Sequence, residues 1–442
     1  MTAKAHEFLG RLKALAPARQ GKSAEELRSC TPGVPEGSAR LADLLGAAVG
    51  SNRFGEHLAL RRWFSEPADF TPDPAALRLL SPGLHAAAAD PAQWLFLDTE
   101  TTGLAGGTGT YPFMVGIAWW DAGGLQVEQF FMRDHSEEHS VLEELAARLA
   151  DRSVLVTFNG KSFDWPLLET RYRMTRSIRT PALRAHLDFL HPARHLWRLK
   201  IGSVRLAELE RQVLGLRREG DVISSLIPQF YFDFLRGGSP DPLLPVFYHN
   251  QMDLRGLAAL AGRILALLAS PEAEGTHGLE LFGVSRICER RGENAQARKL
   301  YEKSLAAELP PIADRAARRS LARLARRDGN FALAAQLWES IVNACGEGFE
   351  SSHALEAFEQ LAIHFERRTR EPQRAAITVR RALVELRRAH RAGAIAPLAY
   401  RQSRARFEHR LARLEHRLER QGGKTLLGTI EAESPACPRE SN

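Results

Sequence analysis

The sequence predicts an α/β protein in which a mixed sheet flanked by helices is followed by an all-α region of repeated helix pairs. Short apolar or alternating runs typical of strands begin near Trp94 and then alternate with segments of helical periodicity. Beyond Glu272 the strand pattern ends and an internal repeat begins. With 442 residues and 44% hydrophobic content, the chain is long and apolar enough for two or three domains, each with a buried core.

Four segments differ in composition. Residues 1–90 are rich in Ala, Pro, Gly and charged residues, so we expect a partly ordered leader whose best helix candidate is LADLLGAAVG. Residues 91–270 carry the α/β pattern, and residues 272–420 carry the helical repeats together with a basic amphipathic helix. Residues 421–442 are predicted to form a disordered tail.

The α/β segment opens with strands and then alternates. WLFLD, PFMVGIAWW and LQVEQFFM are predicted strands, and the DAGG that joins the last two suits a hairpin. SEEHSVLEELAARLAD is predicted as a helix capped by Ser136, SVLVTF as a strand, SFDWPLLETRYRM as a helix and AHLDFLH as a strand. A meander followed by alternating helices and strands indicates a mixed sheet covered by helices.

The C-terminal repeat has a regular spacing. RRGENAQARKLYEKSL aligns with RRDGNFALAAQLWESI, because Gly292 and Gly329, like Tyr301 and Trp338, are 37 residues apart. A degraded third copy follows, with Val379 41 residues after Trp338. Each unit predicts two helices joined by a turn and resembles a tetratricopeptide repeat, a class that binds protein partners. The alternative is three unrelated amphipathic helix pairs.

Composition limits the other function classes. The cysteines at 30, 288, 345 and 437 are too far apart for a C-x-x-C zinc site or a disulfide framework. A net charge of +7 and a pI near 9.4 are compatible with a polyanionic partner. No apolar run is long enough to span a membrane and the N-terminus lacks an apolar signal region, so we expect a cytoplasmic protein with no membrane partner.

The stretch FLDTETTGLAGGTGTY carries the strongest chemical signal. A phosphate-binding P-loop would need Lys-Ser/Thr where Thr110 and Tyr111 follow the glycines, and the glycine spacing does not fit G-x-G-x-x-G. Asp98 and Glu100 are two residues apart on a predicted strand, so they project from the same face. Two such carboxylates repel one another, and a bound cation would relieve the repulsion. A solvated strand end is the alternative.

Two further acids complete a set of four. Asp164 follows a predicted strand in VTFNGKSFDWPLL, and Asp253 lies within a predicted helix in FYHNQMDLRGLAAL. Acids in this order match a two-metal design, in which paired cations activate water and stabilise the leaving oxygen of a phosphodiester. The set resembles the DEDD exonuclease superfamily. FLDTETTGL, FNGKSFDWPLL, HLDFLHPARHLWR and YHNQMDL are most similar to the bacterial YprB-type ribonuclease H-like family, whose members often carry C-terminal tetratricopeptide repeats.

The resemblance implies a ribonuclease H-like fold and a nuclease, expected to be a 3′–5′ exonuclease acting on DNA or RNA. It implies two Mg²⁺ or Mn²⁺ ions whose ligands and catalytic carboxylates would be Asp98, Glu100, Asp164 and Asp253. The competing hypothesis is a non-catalytic ribonuclease H-like adaptor, which would bind nucleic acid or protein and present the helical repeats.

The residues before the last acid depart from the superfamily pattern. DEDD exonucleases usually have Tyr four residues, or His five residues, before the final Asp; here His249 is four and Tyr248 five residues before Asp253. Positions i and i+4 share a helix face, so His249 is predicted to meet the acids and Tyr248 to point elsewhere. We expect His249 to be the catalytic base, with a simple role at the helix start as the alternative.

Three residues near the acids are predicted to contact substrate, namely Thr99, Asn159 and Lys161. For Lys161, which follows the Asn159-Gly160 turn, a solvated turn position is an equally open interpretation. Asp188 is predicted to make structural hydrogen bonds, with an auxiliary role at the site as the alternative.

Overall fold

The protein is described by a computed structural model over residues 36–65, 72–84, 89–103, 108–121, 123–344 and 351–431. Parts of the sequence predictions lie outside these residues: positions 1–35, 66–71 and 85–88 of the leader, 104–107 of the glycine-rich stretch, 122 of the DAGG hairpin and 432–442 of the tail. Among the described residues, none of the helices combines the length and apolar composition that a membrane span requires.

A seven-stranded mixed sheet organises the first part of the chain, in the order β1-β2-β5-β4-β3-β6-β7. Neighbours from β1 to β3 pair antiparallel, whereas β6 pairs parallel with β3 and β7 pairs parallel with β6. The predicted mixed α/β sheet is therefore confirmed. The strands are β1 (Ala48–Asn52), β2 (Gly55–Phe64), β3 (Trp94–Thr101), β4 (Pro112–Asp121), β5 (Gly124–Phe131), β6 (Val154–Thr157) and β7 (Ala185–Asp188).

Helices cover both faces of this sheet, because successive strand side chains alternate between two apolar cores. The helices are α1 (Glu36–Leu45), α2 (Pro74–Leu80), α3 (Glu138–Asp151), α4 (Asp164–Thr175), α5 (Leu190–Ile201), α6 (Leu206–Leu209), α7 (Ile227–Leu235) and α8 (Leu244–Ala269). Leu97 and its same-face neighbours pack with α3 and α4, whereas Phe96 packs on the face covered by α5 and α8. Trp119 and Trp120 likewise join opposite faces.

The sheet extends into the segment predicted as a leader. Strands β1 and β2 form a hairpin, and β2 pairs with β5. Charged residues hide the strand pattern of β2: Arg61 lies directly opposite Glu128 of β5, and its guanidinium is 2.7 Å from that carboxylate. A cross-strand ion pair thus replaces the apolar contact that alternation would have signalled.

The predicted cap of α3 is wrong. The helix begins at Glu138 rather than after Ser136, and a 3-10 turn over His135–Glu137 precedes it. Asp134 caps that turn, because its Oδ1 accepts a hydrogen bond from the Ser136 backbone N–H at 2.6 Å. Ser136 is therefore a capped residue and not the capping one.

The rest of the described chain is helical. Gly292 and Gly329 occupy equivalent turns with φ near +82° and +79°, and Tyr301, Trp338 and Val379 are buried at equivalent positions of the second helices. The last helix extends to Glu431, whereas the sequence predicts disorder from residue 421. The helices are α9 (Gly278–Arg291), α10 (Asn294–Ala306), α11 (Pro311–Arg327), α12 (Phe331–Asn343), α13 (Ser351–Arg367), α14 (Pro372–Arg391) and α15 (Pro397–Glu431).

The helical region packs directly on the α/β region through α9 and α5. A Cβ at Gly283 of α9 would lie 2.7 Å from the carbonyl oxygen of His195 and 2.8 Å from the Cα of Leu196. Beside this close approach, the Trp197 indole N–H donates to Glu280 at 2.8 Å. One continuous apolar core runs through both regions. The junction is therefore a packed interface and not a linker.

We expect Gly283→Ala to destabilise the protein by about 1 to 3 kcal/mol, because the added methyl group meets backbone atoms that cannot move aside easily. Gly83→Ala is the matched control, since a Cβ there meets nothing within 4 Å. Chemical denaturation of both variants measures the difference. Equal stability of the two would show that the α5–α9 approach is loose.

Candidate active site

Strand β3 and helix α8 bring the first acid against an asparagine. Asp98 pairs in register with Gly116 of β4, where a Cβ would lie 2.0 Å from the side-chain oxygen of Asn250. Because Gly116 has no side chain, Asn250 reaches Asp98 and donates its Nδ2–H to Oδ2 at 2.8 Å. Gln129 in turn donates to Asn250 Oδ1 at 2.8 Å. This chain of amides fixes the orientation of the Asp98 carboxylate.

The third acid is held by the residue between the first two. The Thr99 hydroxyl donates to Asp164 Oδ1 at 2.6 Å, which links β3 to the start of α4. The hydroxyl that we expected to contact substrate is thus engaged in positioning Asp164. A direct substrate contact by Thr99 stays a prediction.

Asp188 organises the turn after β6. Its carboxylate accepts backbone N–H groups from Asn159 at 2.8 Å, Lys161 at 3.0 Å and Leu190 at 3.0 Å. Asn159 has a positive φ of 71°, a conformation that Asn tolerates better than most residues. Asp188 therefore has the structural hydrogen bonds predicted for it, and Lys161 is exposed at the turn that Asp188 holds.

The fourth acid, Asp253, lies in α8 close to Tyr248 and His249, the two residues that depart from the superfamily pattern. His249 Nε2 is 3.5 Å from Asp253 Oδ2, and His249 is 9% exposed. Tyr248, one position earlier on the helix, is 36% exposed. The i and i+4 spacing thus places His249 on the side of α8 that carries Asp253. Of the two residues, His249 is the one that contacts an acid.

A buried arginine that the sequence analysis did not identify joins this group. Arg218 forms an ion pair with Asp253, and its Nε and Nη2 are each 2.6 Å from the Glu210 carboxylate. Glu210 approaches so closely because Gly256 of α8 has no side chain to obstruct it. Asp221 lies 3.2 Å from Arg218 and 2.6 Å from His249 Nδ1. Glu210 and Asp221 lie 8 and 3 residues from Arg218, whereas His249 and Asp253 lie 31 and 35 residues away, so no local motif signals the whole group.

The acids influence one another electrostatically. Burial raises the pKa of Asp98 well above its ordinary value, and the charges of Asp253, Glu100 and Asp164 raise it further. Burial likewise raises the pKa of Glu100, followed by the charges of Asp253 and Asp164. Burial raises the pKa of Asp164 to about 6, although the Thr99 hydrogen bond opposes the shift. The four predicted acids therefore share one site.

The donor chemistry of this site fits a hard divalent cation, because carboxylate oxygens are its preferred ligands and like charges need neutralising. Nevertheless, within the described part of the chain no three Asp, Glu, His or Cys side chains are arranged to hold one ion. Arg218 neutralises Asp253, and Thr99 and Asn250 each hold one of the other acids. The ligand types are present without a completed coordination shell.

The sheet order and the helices on its two faces define a ribonuclease H-like protein. The RNase_H_2 family of the RNase_H superfamily matches residues 95–265. The Bacillus subtilis (strain 168) protein named "Uncharacterized protein YprB" is 31% identical over 294 residues, which is 66% of this chain and 69% of that protein. The chain belongs to the ribonuclease H-like family that includes YprB.

Among solved structures, the family B DNA polymerase from the hyperthermophilic archaeon Pyrobaculum calidifontis matches 46% of this chain at 16% identity, with a TM-score of 0.34. This chain spans 29% of the polymerase chain.

The raised pKa values predict how metal-free stability depends on pH. A carboxyl group with a raised folded-state pKa stabilises the fold at low pH, and this contribution is lost as pH rises; for Asp164 the loss falls between about 4 and about 6. Removing one charge should relieve the repulsion at higher pH. We therefore expect Asp98→Asn in EDTA to melt at or above wild type at pH 7.5, by roughly 1 to 2 °C per kcal/mol relieved, and to match wild type near pH 4.

Asp188→Asn is the control for this comparison. Its carboxylate accepts three backbone N–H groups, so its loss should lower the melting temperature in EDTA at pH 7.5. Thermal melts with EDTA and with Mn²⁺ measure both effects. If Asp98→Asn melts well below wild type in EDTA and Mn²⁺ does not stabilise wild type, Asp98 is a structural acid.

Proposed function

We propose that the protein is a divalent-metal-dependent nuclease that hydrolyses phosphodiester bonds of DNA or RNA, acting as a 3′–5′ exonuclease. The observation that carries this proposal is a group of three acids on a ribonuclease H-like sheet, Asp98, Glu100 and Asp164, whose pKa values are raised by burial and by neighbouring carboxylates; the charge of Asp253 acts on the first two. Asp98, Glu100, Asp164 and Asp253 would hold two Mg²⁺ or Mn²⁺ ions. When bound, the ions would supply a more acidic water and neutralise charge on the phosphoryl oxygens.

His249 is proposed as the general base. Asp221 lies 2.6 Å from Nδ1, so a neutral ring that donates Nδ1–H to Asp221 keeps its lone pair on Nε2. Nε2 is the nitrogen that faces Asp253. Asp221 would therefore fix the tautomer and orientation of the ring, while Nε2 accepts the proton of the attacking water. The hydrogen bond from His249 and the charge of Arg218 lower the pKa of Asp221 despite its partial burial, which keeps Asp221 ionised for this role.

The remaining residues would bind and orient substrate. Lys161 is exposed at the turn after β6 and would contact a phosphate, and Asn159 in the same turn would approach the strand. Thr99 would position Asp164 through its hydroxyl. A direct contact between Thr99 and the substrate is also proposed. The net charge of +7 favours a polyanionic substrate.

A non-catalytic adaptor is the second candidate, because one observation favours it. Arg218 already neutralises Asp253, and no metal-binding group is assembled among the described residues. Such a protein would bind nucleic acid or protein without cleaving it. The raised pKa values of Asp98, Glu100 and Asp164 argue against an adaptor, since a purely structural site has no reason to crowd three acids.

The helical region is proposed to consist of tetratricopeptide-like repeats that recruit a protein partner, with the protein acting in the cytoplasm. The equivalent turns at Gly292 and Gly329 and the equivalent buried residues of α10 and α12 support a repeated unit. Fractionation of cells that express the tagged full-length chain tests the location, and recovery in a membrane or extracellular fraction would contradict it.

Cleavage assays test the nuclease directly. Wild type with Mn²⁺ should shorten 5′-labelled linear DNA or RNA stepwise and leave circular strands intact, because an exonuclease requires an end. Asp98→Asn should abolish cleavage, as it removes one of the proposed metal ligands. Activity in Asp98→Asn equal to wild type, or no cleavage by wild type of any of these substrates with Mg²⁺ or Mn²⁺, would reject the proposed function.

Variants of His249 and Tyr248 test whether His249 is the general base. We expect His249→Ala to lower the cleavage rate by about two orders of magnitude or more, as the loss of a general base typically does. Tyr248→Phe is the matched control and should change the rate little, because Tyr248 is exposed and does not share a helix face with Asp253. Single-turnover rates measured over a range of pH compare the two. A larger loss in Tyr248→Phe would reverse the assignment.

A further inference from the structure

A basic pocket lies beside the acids, in the junction between the sheet and the helical region. Its volume is about 340 Å³, and its walls come from the turn after β6, the end of β7, the start of α5, the end of α2 and the end of α9. Six of its lining residues are basic types: Lys161, His186, His191, His195, Arg290 and Arg291. Neither the sheet nor the helical region forms this pocket alone.

Among the described residues, the permanent cations of the pocket form no ion pair with a carboxylate. Lys161 and Arg290 are exposed, and neither forms an ion pair within the part of the chain that the structure describes. Arg291 is held by the carbonyl oxygens of Leu79 and Leu80, at 2.6 Å each, so its position is fixed while its charge is not neutralised by a carboxylate. Three positive charges therefore converge on one cavity.

The lining contains one acid, Asp188, whose single negative charge does not fully offset the three positive charges. The Asp188 carboxylate accepts three backbone N–H groups, which also set the direction of the Lys161 turn. Burial lowers the pKa of His186 and of His195 to about 4, and neighbouring cations contribute to both shifts. At neutral pH these two rings are therefore uncharged, and the positive charge comes from the lysine and arginines.

The pocket lies within reach of a strand bound at the acids. Lys161 precedes Asp164 by three residues, so their Cα atoms are at most about 11 Å apart. With a rise of about 3.4 Å per nucleotide, this distance corresponds to roughly three nucleotides or fewer. A strand whose scissile phosphate meets the acids could thus place a neighbouring phosphate in the pocket.

We propose that this pocket binds a phosphate group of the substrate strand, within about three nucleotides of the bond that is cleaved. The proposal rests on the proposed nuclease function for the position of the scissile bond. The binding chemistry follows from the charged part of the lining: two exposed cations and one fixed guanidinium match a phosphate, whereas a cation would find only the Asp188 carboxylate, which already accepts three backbone N–H groups. The α9 arginines thus make the helical region part of the nucleic-acid interface.

The test compares two double variants in the Asp98→Asn background, so that cleavage does not consume the probe. Lys161→Ala with Arg290→Ala removes two pocket charges. Arg327→Ala with Arg388→Ala is the matched control, because it removes two exposed cations of α11 and α14 that form no ion pair among the described residues. Fluorescence anisotropy measures binding of single-stranded 3-mers and 8-mers over a salt series.

We expect the pocket variant to bind the 8-mer about tenfold more weakly, and the magnitude of its salt slope to fall by about 0.7 for each phosphate that is no longer neutralised. The 3-mer should lose less affinity than the 8-mer, because its length at most just reaches from the acids to the pocket. The control variant should retain wild-type affinity and slope. Unchanged 8-mer binding in the pocket variant, or an equal weakening in the control, would overturn the proposal.

Two further experiments follow. The first distinguishes an internal phosphate of the strand from a terminal phosphate, and the second distinguishes failure of the pocket proposal from failure of the nuclease proposal. An 8-mer with a 5′-hydroxyl should bind as well as one with a 5′-phosphate, and a nucleoside monophosphate should not displace either; the reverse would make the pocket a site for terminal phosphates. In otherwise wild-type protein, the pocket variant should raise KM and leave kcat unchanged. Pocket-dependent binding without any cleavage by wild type would reject the nuclease proposal alone, and cleavage with an unaffected KM would reject the pocket proposal alone.

Discussion

Mutual repulsion among partly buried carboxylates is the constraint on which the rest of the site depends. Asp98, Glu100 and Asp164 all have pKa values raised by burial and by neighbouring acids. Such a group tends to separate unless neighbouring residues hold it together. The fold provides those residues as hydrogen-bond donors, one for Asp98 from Asn250 and one for Asp164 from Thr99, and an arginine for Asp253. Each belongs to a different element, so the site is a product of the whole sheet.

Close backbone approach makes this arrangement possible. Gly116 admits Asn250 to β3, Gly256 admits Glu210 to α8, and Gly283 admits α5 to α9. The first two close approaches determine where a polar side chain can reach an acid or its partner, and the third determines where the helical region docks. In each case the absence of a single methyl group allows a contact between segments far apart in the chain.

The central fold and the acids could be predicted because both have local signals. Alternating apolar residues indicate strands such as β4, and carboxylates at the ends of such elements indicate a site. Strands β1 and β2 escaped prediction, because Arg61 is satisfied by Glu128 across the sheet and so interrupts the apolar pattern. The contacts of Arg218 and Asn250 with the predicted acids have no sequence signal for a similar reason: Asp253 lies 35 residues from Arg218 and Asp98 lies 152 residues from Asn250, and no spacing rule reports such contacts.

The α5–α9 junction has a consequence for how the protein would work in a cell. A carbonyl oxygen packed against Gly283 and an indole bonded to Glu280 leave little freedom for one region to rotate against the other. If the helical region bound a partner protein, that partner would therefore not be joined to the acids by a flexible linker. The fixed junction would give the acids one orientation relative to the bound partner. That orientation would set the direction from which a nucleic acid could enter the site.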